Sequence, residues 1–391
     1  SSAAPGGACA RTLSSTATAT SWSMWRSHRA PLSGLDTDSM PMLRVANAVP
    51  RRLAPCTAPR AAYISVHRTL ATTTSPPPNT PYHVFDREAK LMQRSRAATR
   101  RRVDESGTAF AGAPGEVSRL TDYVRNMGAQ SLAERLLDIS RKFPTIVELG
   151  AGAGHLRHHL DVHGTGVERL IMCDTSRELL ERDADRDGEF PFAIERQVVD
   201  EELLPFAENS LDCIVASGSL HWTNDLPGAL VQIQRALKPD GVFVGYLCGG
   251  DTLFELRTSL MLAELERQGG LAVHVSPMTE SRDVSALMTR AGFTLQTVDV
   301  DELSVHYPSM FELLADLRDM GESNAFVNRQ PLLRRDTLIA GAATYAALHG
   351  TPEGHVPATF AQIYMIGWKP SPHQRKPLER GSATHSLKDA L

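Results

Sequence analysis

Short apolar runs alternate with amphipathic stretches through the middle of the chain. The runs have the length of buried strands and lie at residues 145–149, 169–173, 193–199, 211–217 and 241–247. Helices are predicted between them, including one from His155 and one over 226–237 that ends in a Lys-Pro-Asp-Gly turn. This alternation predicts an α/β fold with helices on both faces of a doubly wound parallel sheet. Right-handed crossovers would bring the carboxyl ends of the strands to one edge, where ligands bind.

The chain becomes more helical after the fifth predicted strand. Elements predicted outside the alternating region are helices over 85–102, 120–139, 253–268 and 311–320 and strands over 294–305 and 360–368. We expect the helical additions after the fifth strand to recognise a protein substrate.

The first 80 residues differ in composition from the rest. Ser, Thr, Ala and Pro dominate, arginines recur, and Asp36 and Asp38 are the only acidic residues. A leader rich in Arg and Ser and poor in acids is typical of an organellar transit peptide, although a disordered tail of no address has a similar composition. We predict a transit peptide and linker over 1–80, a folded domain over 81–370 and a polar tail over 371–391.

Charge and hydropathy exclude several classes of function. The formal net charge is −4, so nothing in the charge favours nucleic-acid binding. No apolar run reaches the ~18 residues of a membrane-spanning helix, so we expect any membrane contact to be peripheral. His155 and His158 are interpreted as part of a solvated helix face, and we predict no metal site.

A glycine-rich turn follows the first predicted strand. Gly150, Gly152 and Gly154 occupy alternate positions, and turns of this kind let the backbone approach a ligand closely. The fingerprint of dinucleotide-binding proteins has one more residue between its last two glycines. The shorter spacing therefore favours S-adenosylmethionine, which has no phosphate.

Acidic residues at the ends of successive strands support this cofactor. Glu148 would lie near the methionine ammonium, and Asp174 would accept the ribose hydroxyls. Asp200, beside Glu201, would accept from the adenine amine, and Ser217 would line the methionine side. A single acid at a strand end is more often a helix cap, but three such acids with the glycine turn favour a ligand site.

His221, at the same edge, and Asp251 are the candidates for catalysis. His221 could act as a general base or orient substrate, and a packed histidine bonded to backbone is an equally good interpretation. Asp251, Glu255 and Glu322 could pair with an arginine guanidinium. More simply, Asp251 would cap the next helix and Glu255 would lie on its solvated side.

Several stretches of this sequence resemble a known family. The glycine turn, Asp174, Asp200 and the Lys-Pro-Asp-Gly turn resemble class I S-adenosylmethionine-dependent methyltransferases. Further stretches resemble mitochondrial complex I assembly factors of the arginine-hydroxylase type; they lie at 85–87, 219–227, 249–253, 319–324, 364–369 and 379–384. The chain departs from that family in having Glu148, Ala151 and Ala153 where the family has Asp, Cys and Arg.

The resemblance carries its own expectations. It implies a seven-stranded methyltransferase sheet with the last strand antiparallel, in a matrix protein attached peripherally to the inner membrane. It also implies hydroxylation of an arginine in an iron–sulfur subunit near the quinone site of complex I, in company with other assembly factors. Two alternatives stay open. One is a methyltransferase acting on a small acid, an acyl thioester or a protein side chain, and the other is a non-catalytic assembly chaperone.

Overall fold

The computed structural model describes residues 83–103, 110–111, 113–374 and 380–382. The predicted leader over 1–80 and most of the predicted polar tail lie outside the described residues. The transit peptide, the linker and the domain boundaries therefore stay predictions.

A seven-stranded sheet organises the described region. The strands in chain order begin with the short antiparallel pair β1 (Arg102–Val103) and β2 (Phe110–Ala111), followed by the sheet strands β3 (Thr145–Leu149), β4 (Arg169–Asp174), β5 (Ala193–Val198), β6 (Leu211–Ser217), β7 (Leu237–Cys248), β8 (Thr294–Tyr307) and β9 (Val356–Trp368). The spatial order of the sheet is β5-β4-β3-β6-β7-β9-β8. Strands β3 to β7 are parallel, and β9 is antiparallel to both of its neighbours.

This topology confirms the predicted fold class. The chain moves outward from β3 through β4 to β5 on one side, and then returns to add β6 and β7 on the other. A crevice opens at such a reversal point because the adjacent connections leave the sheet on opposite faces. The glycine turn follows β3 directly, so it lies at this crevice.

Helices cover the sheet and extend beyond it. Those in the described region are α1 (Arg87–Thr99), α2 (Glu116–Thr121), α3 (Tyr123–Leu137), α4 (Val162–Thr165), α5 (Arg177–Glu181), α6 (Leu226–Ala236), α7 (Phe254–Gln268), α8 (Ser281–Ala291), α9 (Met310–Asp319) and α10 (Arg335–His349). None of these helices is long and apolar enough to cross a membrane. The sequence did not predict α8 or α10. Helix α10 lacks a leucine stripe because it packs closely on α7 through small residues; a Cβ at Gly341 would lie 2.9 Å from Leu260 Cδ2.

Two local predictions were wrong. The expected helix from His155 is a 3-10 turn, Leu156–His158, followed by the single-turn helix α4. Asp161 starts α4 by accepting from two backbone N–H groups, and Gly166 ends it with φ +70°. Strand β7 begins at Leu237, so the Lys-Pro-Asp-Gly segment lies within the strand and not in a turn that precedes it.

The core lies on both faces of the sheet. Val147 and Leu149 point to one face, where α6 and α8 pack, and Ile146 points to the other, where α3 packs. This alternation follows from the two-residue period of a strand. A third apolar cluster joins α7, α9 and β9 beyond the carboxyl end of the sheet, and it encloses the space described below.

Candidate active site

The three glycines of the turn differ in what surrounds them. Gly150, Gly152 and Gly154 all have positive φ, a conformation that favours glycine. A Cβ at Gly150 would lie 2.0 Å from Ser219 Oγ, so that glycine is needed for packing. A Cβ at Gly152 would have no neighbour nearer than Arg125 Nη1 at 3.6 Å. Packing therefore does not require glycine at position 152, where Arg125, Leu179 and Arg94 surround the side-chain position.

Glu148 is buried at the end of β3. Its Oε1 accepts from the Ser217 hydroxyl at 2.7 Å, while its Oε2 has no hydrogen-bond partner within the described chain. Burial raises the pKa of Glu148 to about 8. The unpartnered oxygen fits a ligand that brings a donor, as the ammonium of S-adenosylmethionine does.

Asp174 closes the turn from the side of β4. Its carboxylate accepts from the backbone N–H groups of Gly152 and Ser176, each at 2.9 Å. Its Oδ2 also lies 2.8 Å from Arg94 Nη2, and both side chains are buried. Helix α5 is capped by Ser176, so Asp174 does not act as its N-cap. The structure thus brings Asp174 to the glycine turn, and Arg94 forms an ion pair with it there.

The acids after β5 are also paired with an arginine. Arg87 Nη2 lies 2.5 Å from Asp200 Oδ1 and 2.9 Å from Glu201 Oε2. Asp200 is partly exposed, whereas Glu201 is buried. Burial opposes ionisation of Glu201, but Arg87 and Arg94 hold its pKa below its usual value. Glu201 therefore keeps a negative charge at this edge.

Helix α1 supplies cations that the sequence reasoning missed. Arg87, Lys90 and Arg94 lie at positions i, i+3 and i+7, so they share one face of the helix. In a charged amphipathic segment, such a face is ordinarily assigned to solvent. Here Lys90 and Arg94 are buried, and the face lies across the acids that end β4 and β5. The helical spacing is the only signal in the sequence.

The Glu322 carboxylate lies close to four side chains at the inner end of the site. Its Oε1 accepts from Arg125 on α3, and its Oε2 accepts from Trp222 Nε1 at 2.6 Å. Lys90 Nζ lies 3.6 Å and His221 Nε2 lies 3.8 Å from the same Oε2. Burial opposes ionisation, but these cations hold the pKa of Glu322 well below its usual range. Glu322 is therefore paired within the protein, although the sequence had suggested a guanidinium of the substrate.

His221 lies beside Glu322 and is almost fully buried. Burial alone would lower its pKa, but Cys248 and Glu322 beside it raise the pKa to about 9. Its Nδ1 has no hydrogen-bond partner among the described residues. At neutral pH a protonated His221 donates or orients; it does not accept a proton.

The structure does not bring Asp251 into this site. Asp251 is exposed, and it is absent from the lining of the cavity next to His221. It does not cap α7 either, because the N-cap is Leu253, with no side-chain hydrogen bond. Glu255, expected on the solvated side of α7, is buried, and its Oε1 accepts from the Thr359 hydroxyl at 2.6 Å.

The histidines after the glycine turn are not a solvated helix face. His155 lies before the 3-10 turn with its side chain largely covered, and burial lowers its pKa to about 4. His158 is exposed and packs edge-on against Phe190. Among the residues that the structure describes, no group of three or more His, Cys, Asp or Glu side chains is placed to hold a metal ion.

A cavity of about 480 Å³ is lined by His221 and by Arg125, whose Nη1 lies 3.6 Å from the Cβ position of Gly152. Its inner end contains Arg125, Glu322 and Tyr246, and its body is formed by apolar residues of α7 and α9. Its volume falls within the range of small-molecule sites. The helices after β7 therefore enclose the space next to the glycine turn.

Comparison with known proteins agrees with this geometry. A methyltransferase domain family matches residues 147–245, which run from β3 through β7. The fold and this match define a class I methyltransferase-fold protein, and they confirm S-adenosylmethionine as the predicted cofactor. The residues predicted to bind it stay predictions.

The relatives identify the family more narrowly. The protein named "Arginine-hydroxylase NDUFAF5, mitochondrial" from Danio rerio is 45% identical over 307 residues, which cover 78% of this chain and 89% of the relative. The protein of the same name from Homo sapiens is 45% identical, with 78% and 82% covered, and that from Dictyostelium discoideum is 37% identical, with 77% and 69% covered. The chain belongs to this mitochondrial NDUFAF5 family. The predictions of an enzyme and of a mitochondrial location are confirmed at the level of the family.

Proposed function

We propose that the chain is an S-adenosylmethionine-binding protein arginine hydroxylase. Its substrate is an arginine of an iron–sulfur subunit near the quinone site, modified early in the assembly of complex I. The observation that carries this proposal is the match along most of the chain to relatives named arginine-hydroxylase.

The residues of the site have separable tasks in this proposal. The glycine turn and Glu148 would hold the methionine part of the cofactor, and Asp174 would hold its ribose. When bound, S-adenosylmethionine supplies a sulfonium with an electrophilic methyl group. His221 would position the substrate polypeptide by donating to one of its carbonyl oxygens, since its pKa of about 9 keeps it protonated near neutral pH. Glu322 fixes His221, Arg125 and Trp222 relative to one another.

Exposed apolar side chains support contact with a partner or a membrane surface. Met261, Leu262 and Leu265 on α7 and Leu271 just after it are exposed. A concentration of exposed apolar side chains is typical of interaction surfaces. We propose that this surface meets the iron–sulfur subunit, other assembly factors or the matrix face of the inner membrane.

The decisive experiment is the intact mass of the candidate iron–sulfur subunit. The subunit would be isolated from cells with the chain, without it, and with the variant His221→Gln. An increase of one oxygen atom that requires the chain supports hydroxylation, and His221→Gln is expected to lower its yield about tenfold or more. The control is His306→Gln, which changes an exposed histidine on β8.

Other masses would overturn the proposal. An increase of one methylene unit would support a methyltransferase. An unchanged mass, together with failed assembly when the chain is absent, would support a chaperone. Full modification by His221→Gln would remove His221 from the mechanism.

A further inference from the structure

The 480 Å³ cavity has an apolar body and a cationic inner end. Leu256 and Leu260 of α7 and Leu317 of α9 line the body and are buried. Arg125 and His221 lie at the inner end. Such a distribution fits a ligand with an extended apolar part and one charged group.

Basic side chains outnumber acidic ones in the lining of the inner end. Glu322 is the only acidic residue lining the described cavity, and both of its oxygens already face protein donors. Arg125 and His221 therefore share one carboxylate, with Lys90 3.6 Å from it on the other side. A buried cation without a partner is costly, so this end favours an anion.

One donor at this end is unused. His221 lines the cavity, and its buried Nδ1 has no hydrogen-bond partner within the described chain; only about 5% of the side chain is exposed. A protonated histidine donates from both ring nitrogens, so Nδ1 is available to a carboxylate oxygen. The positively charged guanidinium of an arginine would be repelled by Arg125 and by protonated His221.

We propose that this cavity binds an amphipathic carboxylate, with its apolar chain along α7 and α9 and its carboxylate at Arg125 and His221. The ligand is distinct from the arginine substrate. The inference does not depend on arginine hydroxylation, because binding is measured without the iron–sulfur subunit. Either proposal can therefore fail while the other stands.

The test is calorimetry on the full chain with three probes of equal chain length: decanoate, decan-1-ol and decyltrimethylammonium. Decanoate is expected to bind at least tenfold more tightly than decan-1-ol, and the cationic probe is expected not to bind. Affinity should rise about fourfold for each methylene from hexanoate to decanoate. Equal binding of decanoate and decan-1-ol, tighter binding of the cationic probe, or no binding of decanoate would each overturn the proposal.

Matched variants locate the site. Leu260→Trp fills the cavity from α7, whereas Leu262→Trp adds the same side chain at a position of the same helix that is 44% exposed. Only Leu260→Trp should abolish decanoate binding, and equal effects of both variants would contradict the assignment. If Leu260→Trp does not fold, His221→Gln serves instead; it should weaken decanoate about tenfold and leave decan-1-ol unchanged.

A last arm separates a free acid from the carboxylate of the cofactor. Decanoate is titrated again in the presence of saturating S-adenosylmethionine. Retained affinity supports a separate site for the acid. Competitive displacement would assign the cationic end to the methionine carboxylate and overturn the proposal.

Discussion

Glu148→Gln is expected to change how the stability of this protein depends on pH. Burial raises the pKa of Glu148 from 4.5 to about 8, so the folded state keeps a proton that the unfolded state has lost between these values. The folded state then binds more protons, and the free energy of unfolding falls as pH rises, by about 1.4 kcal/mol per pH unit. The stability contributed by the protonated carboxyl is fully present below about pH 4.5 and lost above about pH 8.

The glutamine side chain removes this titration while keeping the local geometry. Its carbonyl can still accept from Ser217, which now donates to Glu148 Oε1 at 2.7 Å. Between pH 6 and pH 8 the wild-type chain should therefore lose about 2 kcal/mol more of its free energy of unfolding than Glu148→Gln does. Groups that titrate in both proteins cancel in this comparison.

Urea unfolding of the cofactor-free chain at several pH values measures the difference. The control is Glu302→Gln, since Glu302 is an exposed residue of β8. Its curve should run parallel to that of the wild type. Parallel curves for Glu148→Gln and the wild type would refute the reasoning, because they would mean that Glu148 ionises normally in the folded protein.

Three further predictions concern the cofactor and the leader. Asp174→Asn, which removes the charge that faces Arg94 and replaces one acceptor oxygen with an NH2 group, should weaken S-adenosylmethionine binding about tenfold or more by calorimetry; unchanged affinity would remove Asp174 from the site. Gly152→Val and Gly269→Val both place a side chain at positive φ, at about 1–2 kcal/mol each, and in neither does the new Cβ lie nearer than 3.6 Å to another atom. Only Gly152→Val should lose cofactor binding, and equal binding by both variants would contradict the location of the site. Removal of residues 1–80 should abolish import into isolated mitochondria but leave the circular dichroism of a folded domain, and import of the truncated chain would contradict the transit peptide.

Part of the site followed from local sequence. The predictions of β3, β4 and β6 were close to the observed bounds because a buried strand needs a short, continuous apolar run. The glycine turn and Asp174 were placed together because parallel strands end at a common edge. Asp251 was not placed correctly. It lies beyond the end of β7, where the geometry of the sheet no longer fixes the position of a residue, and it is exposed.

The sequence by itself determined the sheet, its ligand-binding edge and the glycine turn, since each depends on residues that are neighbours along the chain. Only the tertiary structure decided what faces that edge. Arg125 and Glu322 are 197 residues apart along the chain, and no periodicity connects them. Burial also reversed the meaning of charged positions: Lys90 and Arg94 on α1 suggest a solvated face, yet both are buried. A buried charge requires a partner, and the partner is chosen by packing.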